Sequence, residues 1–138
     1  MIYTGKIQIS TKGNTDIIDI TDKIQQQVEK SNIKNGFVLL FVNGSTAGLT
    51  TIEYEPGLIK DLKEMFENLI PEDKTYSHNE KWHDNNGHSH LRASLLKPSL
   101  IIPFSKSKLL LGTWQQITLI DFDNHPRTRE IIIQINGE

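Results

Sequence analysis

The sequence contains no cysteine, so disulfides, thiolate nucleophiles and cysteine-ligated metals are all excluded. No apolar run approaches the roughly 20 residues that a bilayer-spanning helix needs, which removes the integral membrane class. The opening Met1-Ile2-Tyr3-Thr4-Gly5-Lys6 lacks the apolar stretch and small-residue cleavage site of a secretory signal, and a soluble, cytoplasmic protein is the expectation. A surplus of charge is missing too: 15 Lys+Arg against 17 Asp+Glu leave a formal net charge of −2. That balance offers no general attraction to nucleic acid phosphates or anionic lipid. Internal repeats, linkers and low-complexity tracts are also absent. What remains is 138 residues, 36% hydrophobic and 23% charged. This is the profile of one globular domain, residues 1–138, whose core needs no covalent staples.

Within that domain, Ile2 to Ser10 alternates around Ile2, Ile7 and Ile9 before Gly13-Asn14, predicting an edge or meander strand that ends in a turn. After a short apolar run at Ile17 to Ile20, Thr21 can cap a helix carrying Ile24 and Val28 one turn apart, with Gly36 closing it. Phe37 to Val42 is too short for an average helix and passes through Asn43-Gly44-Ser45 into Leu49 to Tyr54, which predicts a buried hairpin or strand pair. Leu58, Leu62, Met65, Phe66, Leu69 and Ile70 recur at three and four positions, opposite Lys60, Lys63, Glu64 and Glu67. That spacing predicts an amphipathic helix with Pro56 in its first turn and Pro71 as its stop. Ser89 can cap a short third helix, His90 to Leu96, before Pro98. Ser99 to Phe104, Leu109 to Leu111, Trp114 to Ile120 and Glu130 to Ile135 read as strands, with Asp121 to Arg129 connecting the last two. The class is therefore α+β, a mixed or antiparallel sheet or sandwich with two main helices and a short third.

Between Pro71 and Gly87 the apolar content collapses to Tyr76 and Trp82, and long stretches of this kind are functional or disordered. Four of the five histidines, His78, His83, His88 and His90, fall within thirteen residues here, beside Glu80, Asp84, Asn85 and Asn86. Neutral imidazole is the commonest side-chain metal ligand, and three imidazoles with one open position make a catalytic-type zinc site. Extended backbone would turn His88 and His90 to one side. A helix opening at Ser89 would instead put His90 at a positive helix end, suited to an anion. The competing reading is a solvated polar loop with incidental histidines. Nitrogen-rich ligation makes zinc the default ion, with nickel, copper or iron fitting the same donors.

Weaker signals lie elsewhere. Gly44-Ser45-Thr46-Ala47-Gly48 can present backbone N–H groups to an oxyanion or phosphate, but it lacks the lysine and spacing of a Walker loop, and a plain strand connection competes. Glu53 and Glu55 flank Tyr54 and can line a pocket or simply face solvent. Gly112-Thr113-Trp114-Gln115-Gln116 sets a large aromatic after a glycine, as a pocket wall or a packing corner. Arg127 and Arg129 alternate along an extended segment, where they can clamp a phosphate or carboxylate or form a solvated turn edge.

Taken together, GSTAGLTTIEYEPG (Gly44 to Gly57), PEDKTYSHN (Pro71 to Asn79), NGHSHLRASLLKPSLIIPF (Asn86 to Phe104) and LLLGTWQQITLIDFD (Leu109 to Asp123) resemble the YjbQ-like family. That family is uncharacterised protein family 47, also labelled secondary thiamine-phosphate synthase, and the resemblance covers nearly the whole chain. It implies an α+β fold, a homotrimer and a histidine-lined metal pocket close to subunit contacts. It also implies formation of thiamine phosphate from a pyrimidine pyrophosphate and a thiazole phosphate. His78 and His90 match family histidines, and His88 belongs to the HSHL version of the motif. Two departures stand out. Gly44 occupies the position where many relatives have a histidine, leaving His83 or His88 as substitutes, and Ser107 stands where relatives have a glycine.

The expectation that follows is a metal-dependent small-molecule enzyme. His78, His88 and His90 bind a divalent transition metal, zinc by default, with magnesium joining a pyrophosphate substrate. Glu53 or Asp84 handles protons and Gln115 orients substrate. Ser45, Thr46, Trp114, Arg92 and Arg127 line the substrate. The alternatives are a non-catalytic trimer that binds a ligand or metal, and loop histidines that only cement subunits.

Overall fold

A computed structural model describes every residue from Met1 to Glu138. The elements run β1 (Ile2–Thr11), β2 (Asp16–Asp19), α1 (Thr21–Ser31), β3 (Gly36–Asn43), β4 (Ala47–Ile52), α2 (Pro56–Leu69), α3 (Ser77–Trp82), α4 (Gly87–Leu96), β5 (Ser99–Ser105), β6 (Lys108–Leu109), β7 (Gln116–Asp121) and β8 (Arg127–Gly137). All strand pairs are antiparallel. They divide into a five-stranded sheet, β1-β8-β3-β5-β6, and a three-stranded sheet, β2-β7-β4. The class is α+β, as expected, and β1 is an edge strand.

Strand alternation builds the layers. Val38, Leu40 and Val42 of β3, Ile131, Ile133 and Ile135 of β8, and Ile102 and Phe104 of β5 face inward. They meet Leu49, Ile117 and Leu119 of the small sheet and Ile24 and Val28 of α1 in one core. The opposite face of the small sheet offers Ile17, Ile120 and Phe122 to Phe66 of α2 and Ala93 of α4 in a second, smaller core. Strand β7 is therefore buried on both faces, and side chains on its two faces answer to different neighbours. Each fully buried isoleucine here is worth about 2–3 kcal/mol of transfer free energy. No helix is long and apolar enough to cross a membrane.

Several local expectations change. β3 and β4 do not form a hairpin: β3 pairs with β5 and β8, and β4 pairs with β7. The Gly44-to-Thr46 turn carries the chain from one sheet to the other. Thr21 is the first residue of α1 rather than its cap, and its hydroxyl donates to Asp19 Oδ1 at 2.6 Å. Asn32, in a left-handed conformation, ends α1, and Gly36 opens β3 instead. The strand expected over Leu109 to Leu111 is only Lys108–Leu109, whereas β8 begins at Arg127 and takes in both arginines. Helix α2 fits its pattern. Pro56 sits in the first turn, and the Glu55 carboxylate caps it by accepting from the backbone N–H of Gly57 (2.8 Å) and Leu58 (2.6 Å). The polar stretch expected to be loop contains α3, a fourth helix.

Candidate functional site

The histidine stretch folds as two short helices joined by a four-residue link, His83-Asp84-Asn85-Asn86. α3 ends at Trp82 and is capped by His83, whose backbone is left-handed and whose N–H bonds the Asn79 carbonyl at 2.9 Å. Asn79 Oδ1 in turn accepts from the backbone N–H of Gly87, the first residue of α4, at 2.9 Å. Gly87 permits this approach, because a Cβ there would lie 2.7 Å from Tyr76 Cβ. Tyr76 itself is buried, with its hydroxyl donating to the Pro71 carbonyl. The result is that the rings of His78 and His90 stand with centroids 4.3 Å apart, tilted by 42°. They line a concavity of about 420 Å³ together with Tyr76, Ser77, Gly87 and Leu91.

His90 is held below the ordinary histidine range, first by burial and then by the neighbouring His78, with Asp123 and Asp84 pulling the other way. It is therefore neutral near pH 7, with a lone pair to offer. His78 Nδ1 is buried without a hydrogen-bond partner, and the Asp84 carboxylate lies 3.7 Å from it, beyond bonding distance.

His88 does not join this pair. Helix α4 starts at Gly87, not after Ser89, so residues 88 and 90 are rotated by roughly 200° about its axis. His88 is buried beside Ser89, and burial, then the Arg92 charge, keeps it neutral. His90 is also not at a free helix end, because its N–H already bonds the Asn86 carbonyl. His83 lines a different concavity, with Lys74, Thr75, Tyr76, Asn79, Glu80 and Asn85. Nowhere in the chain do three or more His, Asp or Glu side chains converge closely enough to hold a metal. The expected set of His78, His88 and His90 is thus two imidazoles, and neither substitute for the residue at position 44 reaches them.

Beside α4 lies a buried polar network. The Arg129 guanidinium donates to both oxygens of Asp121, from Nε at 2.7 Å and from Nη2 at 2.8 Å, and to the Thr46 hydroxyl. Asp123 Oδ2 accepts from Thr46 Oγ1 (3.1 Å) and Arg127 Nε (2.8 Å), and Oδ1 accepts from Asn86 Nδ2 (3.3 Å) and the Asn124 N–H (2.9 Å). Burial pushes the Asp123 carboxyl up. The Asn124 N–H, Asn86, Arg127 and Thr46 outweigh it and bring the carboxyl down to about 2. Asp121 is also lowered, with hydrogen bonds from Arg129 and Thr11 overcoming its burial.

Gly44 is part of the same arrangement. Its φ of +144° is one that residues with a side chain rarely adopt, and Arg129 Nη1 lies 2.5 Å from where a Cβ would sit, so a larger residue here must displace the guanidinium.

The other expected site residues scatter. Thr46 belongs to the network above, while Ser45 is exposed on the turn beside a small pocket of about 150 Å³. Arg92 is committed internally, donating to the Ile70 carbonyl, to Thr15 Oγ1 at 3.0 Å and to Glu67 at 2.8 Å. It ties α4 to α2 instead of facing a ligand. Arg127 is half-exposed but shares Asp123. Glu53 follows β4 and Gln115 precedes β7, where Ile52 pairs with Gln116. Asp121 and the histidine helices lie at the opposite end of β7, a separation of roughly 17 Å at the usual rise per strand residue. Gln115 Oε1 accepts from the Gly112 N–H at 2.9 Å, and Trp114 is 71% exposed, so it is neither a packing corner nor the wall of a pocket found here. Of the residues expected to carry chemistry, only Asp84 accompanies His78 and His90.

The sequence pattern does not mark Asn86, Asp121, Asp123 and Asn124 as site residues. Their one sequence signal is a pair of acids two apart at the end of an apolar run, answered by arginines two apart at 127 and 129.

The family model described as UPF0047 protein YjbQ-like matches residues 5–138. A UPF0047 protein of Archaeoglobus fulgidus is 39% identical over 94% of this chain and 98% of its own length. One from Methanothermobacter thermautotrophicus is 36% identical over 99% of this chain and 94% of its own. Among solved structures, a YbjQ-like protein of unknown function from Sulfolobus solfataricus superposes with a TM-score of 0.94 at 38% identity, covering 100% and 99% of the two chains. A hypothetical protein from Aeropyrum pernix follows at 0.91 and 30% identity, covering 99% of each.

Proposed function

Because the chain belongs to the UPF0047 YjbQ-like family, we propose that it is a metal-binding small-molecule enzyme whose protein donors include the imidazoles of His78 and His90. The observation that carries this reading is the meeting of two imidazoles in the wall of a concavity of about 420 Å³. The residues fit a cation. His90 is kept neutral by its surroundings, and a polar atom of His78 is buried without a partner, a condition that native proteins rarely leave unanswered. Zinc or another transition ion suits these nitrogen donors, and Asp84 is the carboxylate beside them, 3.7 Å from His78 Nδ1. Magnesium prefers oxygen ligands and would enter only with a phosphorylated substrate. One chain supplies two donors, so the remaining positions fall to solvent, substrate or another copy of the chain in a homotrimer.

When bound, the ion supplies positive charge and Lewis acidity against phosphate oxygens. That role matters for the substrate pair suggested by the resemblance, a pyrimidine pyrophosphate and a thiazole phosphate joined as thiamine phosphate. Arg92 and Arg129 are spent on internal carboxylates and Arg127 shares Asp123. The chain's own arginines therefore leave little charge to meet a departing pyrophosphate. Asp84 is the group nearest the pair for proton handling, while Leu91 and Tyr76 contribute the apolar wall.

The incomplete donor set favours a second reading, a non-catalytic trimer in which the ion bridges subunits. Elemental analysis of purified protein tests the first part. About one transition-metal ion per chain is expected, absent from His90→Ala, and a metal-free native protein sinks the proposal. Chelation then separates the readings. Loss of thiamine phosphate formation with the assembly intact supports the enzyme, whereas dissociation without any turnover before chelation supports the bridging trimer.

A further inference from the structure

We propose that Asn124, acting with Asp123, is the positioning residue for the His78–His90 pair; the proposal rests on the metal-binding reading above. The link that joins α3 to α4 is His83-Asp84-Asn85-Asn86, and two consecutive residues after β7 hold it at Asp84 and at Asn86. Asn124 Nδ2 donates to the Asp84 carbonyl at 2.7 Å, and Asp123 Oδ1 accepts from Asn86 Nδ2 at 3.3 Å. The two anchors are joined to each other through the Asn124 N–H on Asp123 Oδ1 at 2.9 Å. Asn124 Oδ1 meets His125 Nδ1 at 2.9 Å, which directs the amide nitrogen towards the link.

The link needs holding. His83 and Asn85 both adopt left-handed backbone without being glycine, with φ of 58° and 56°, a conformation that persists only where the surroundings over-determine it. The buried network of Arg127, Thr46 and Asp123 supplies a rigid base from which the clamp reaches across 37 to 40 residues of sequence. The Asn86 carbonyl receives the N–H groups of Ser89 and His90, so fixing Asn86 fixes the first turn of α4 and the direction of His90. Fixing Asp84 holds the C-terminal end of α3, a single six-residue helix whose first turn carries His78. Neither Asp123 nor Asn124 touches the ring pair, and each acts through the backbone that aims it.

The test uses Asn124→Asp, which keeps the volume and the backbone bond to Asp123 but loses the donor, alongside Asn124→Ala. In metal-free wild type, ring-proton NOEs between His78 and His90 are expected from the 4.3 Å centroid spacing. Both variants should retain dispersed amide spectra, lose most of that NOE intensity, and bind Zn²⁺ about tenfold more weakly by calorimetry, the usual size of an outer-shell effect. Undiminished NOEs in both variants overturn the proposal, as does unchanged zinc affinity. If the wild type takes no zinc, the metal reading fails, and the clamp is still decided by the NOEs alone.

Discussion

Replacing Arg129 with Met asks how much of the fold depends on the buried ion network. The Arg129 side chain is 7% exposed and its partner Asp121 is fully buried, with two donor contacts of 2.7 and 2.8 Å. After the substitution Asp121 keeps only the Thr11 hydroxyl and the Asp123 N–H, and Thr46 loses a donor. Breaking a buried pair from one side costs about 3–5 kcal/mol, because the surviving charge stays buried and unpaired. Against a total stability of about 5–15 kcal/mol, that is a large fraction, equivalent to roughly 10–20 °C in Tm for a chain of this size. Urea denaturation at pH 7 measures it. Adding Asp121→Asn to Arg129→Met should recover part of the loss, since the stranded charge is removed, and a double-mutant cycle should return a coupling above about 1 kcal/mol. A loss below about 1 kcal/mol for Arg129→Met alone would refute the argument, because it would mean the carboxylates find water or other donors when the guanidinium leaves.

Acid stability follows from the same network. The Asp123 carboxyl lies at about 2 when folded, below its ordinary 3.8. Its stabilisation of about 2 kcal/mol is therefore present above the unfolded value and lost as pH falls through the folded one. Between pH 5 and pH 2 the wild type should lose stability more steeply than Asp123→Asn, as urea midpoints across that range will record; parallel curves would contradict it. At the site, Gly87→Ala should cost about 1–3 kcal/mol, since the added methyl meets Tyr76 Cβ at 2.7 Å. It should also part α3 from α4, so that zinc binding falls more than stability does; a variant with wild-type affinity and melting point would remove Gly87 from the account.

What the chain determined locally was the type of most segments, α3 in its almost apolar-free stretch being the exception. The three- and four-residue spacing from Leu58 to Ile70 specifies one amphipathic face whatever it packs on, and Pro56 and Pro71 bound it. The alternation of Ile7 and Ile9, or of Ile131, Ile133 and Ile135, fixes which side chains turn inward. The family motifs, too, were readable as text. Tertiary structure decided which segments meet. β3 and β4 are neighbours in sequence, yet their hydrogen bonds go to β8 and β7, because pairing depends on distant strands that no local window contains. The histidines make the same point at the scale of one residue. Whether His88 stands beside His90 or behind it depends on where α4 begins, and that is settled by Asn79 receiving the Gly87 N–H and Asp123 holding Asn86. Composition announced an imidazole-rich segment, and long-range hydrogen bonds chose the two rings that face each other.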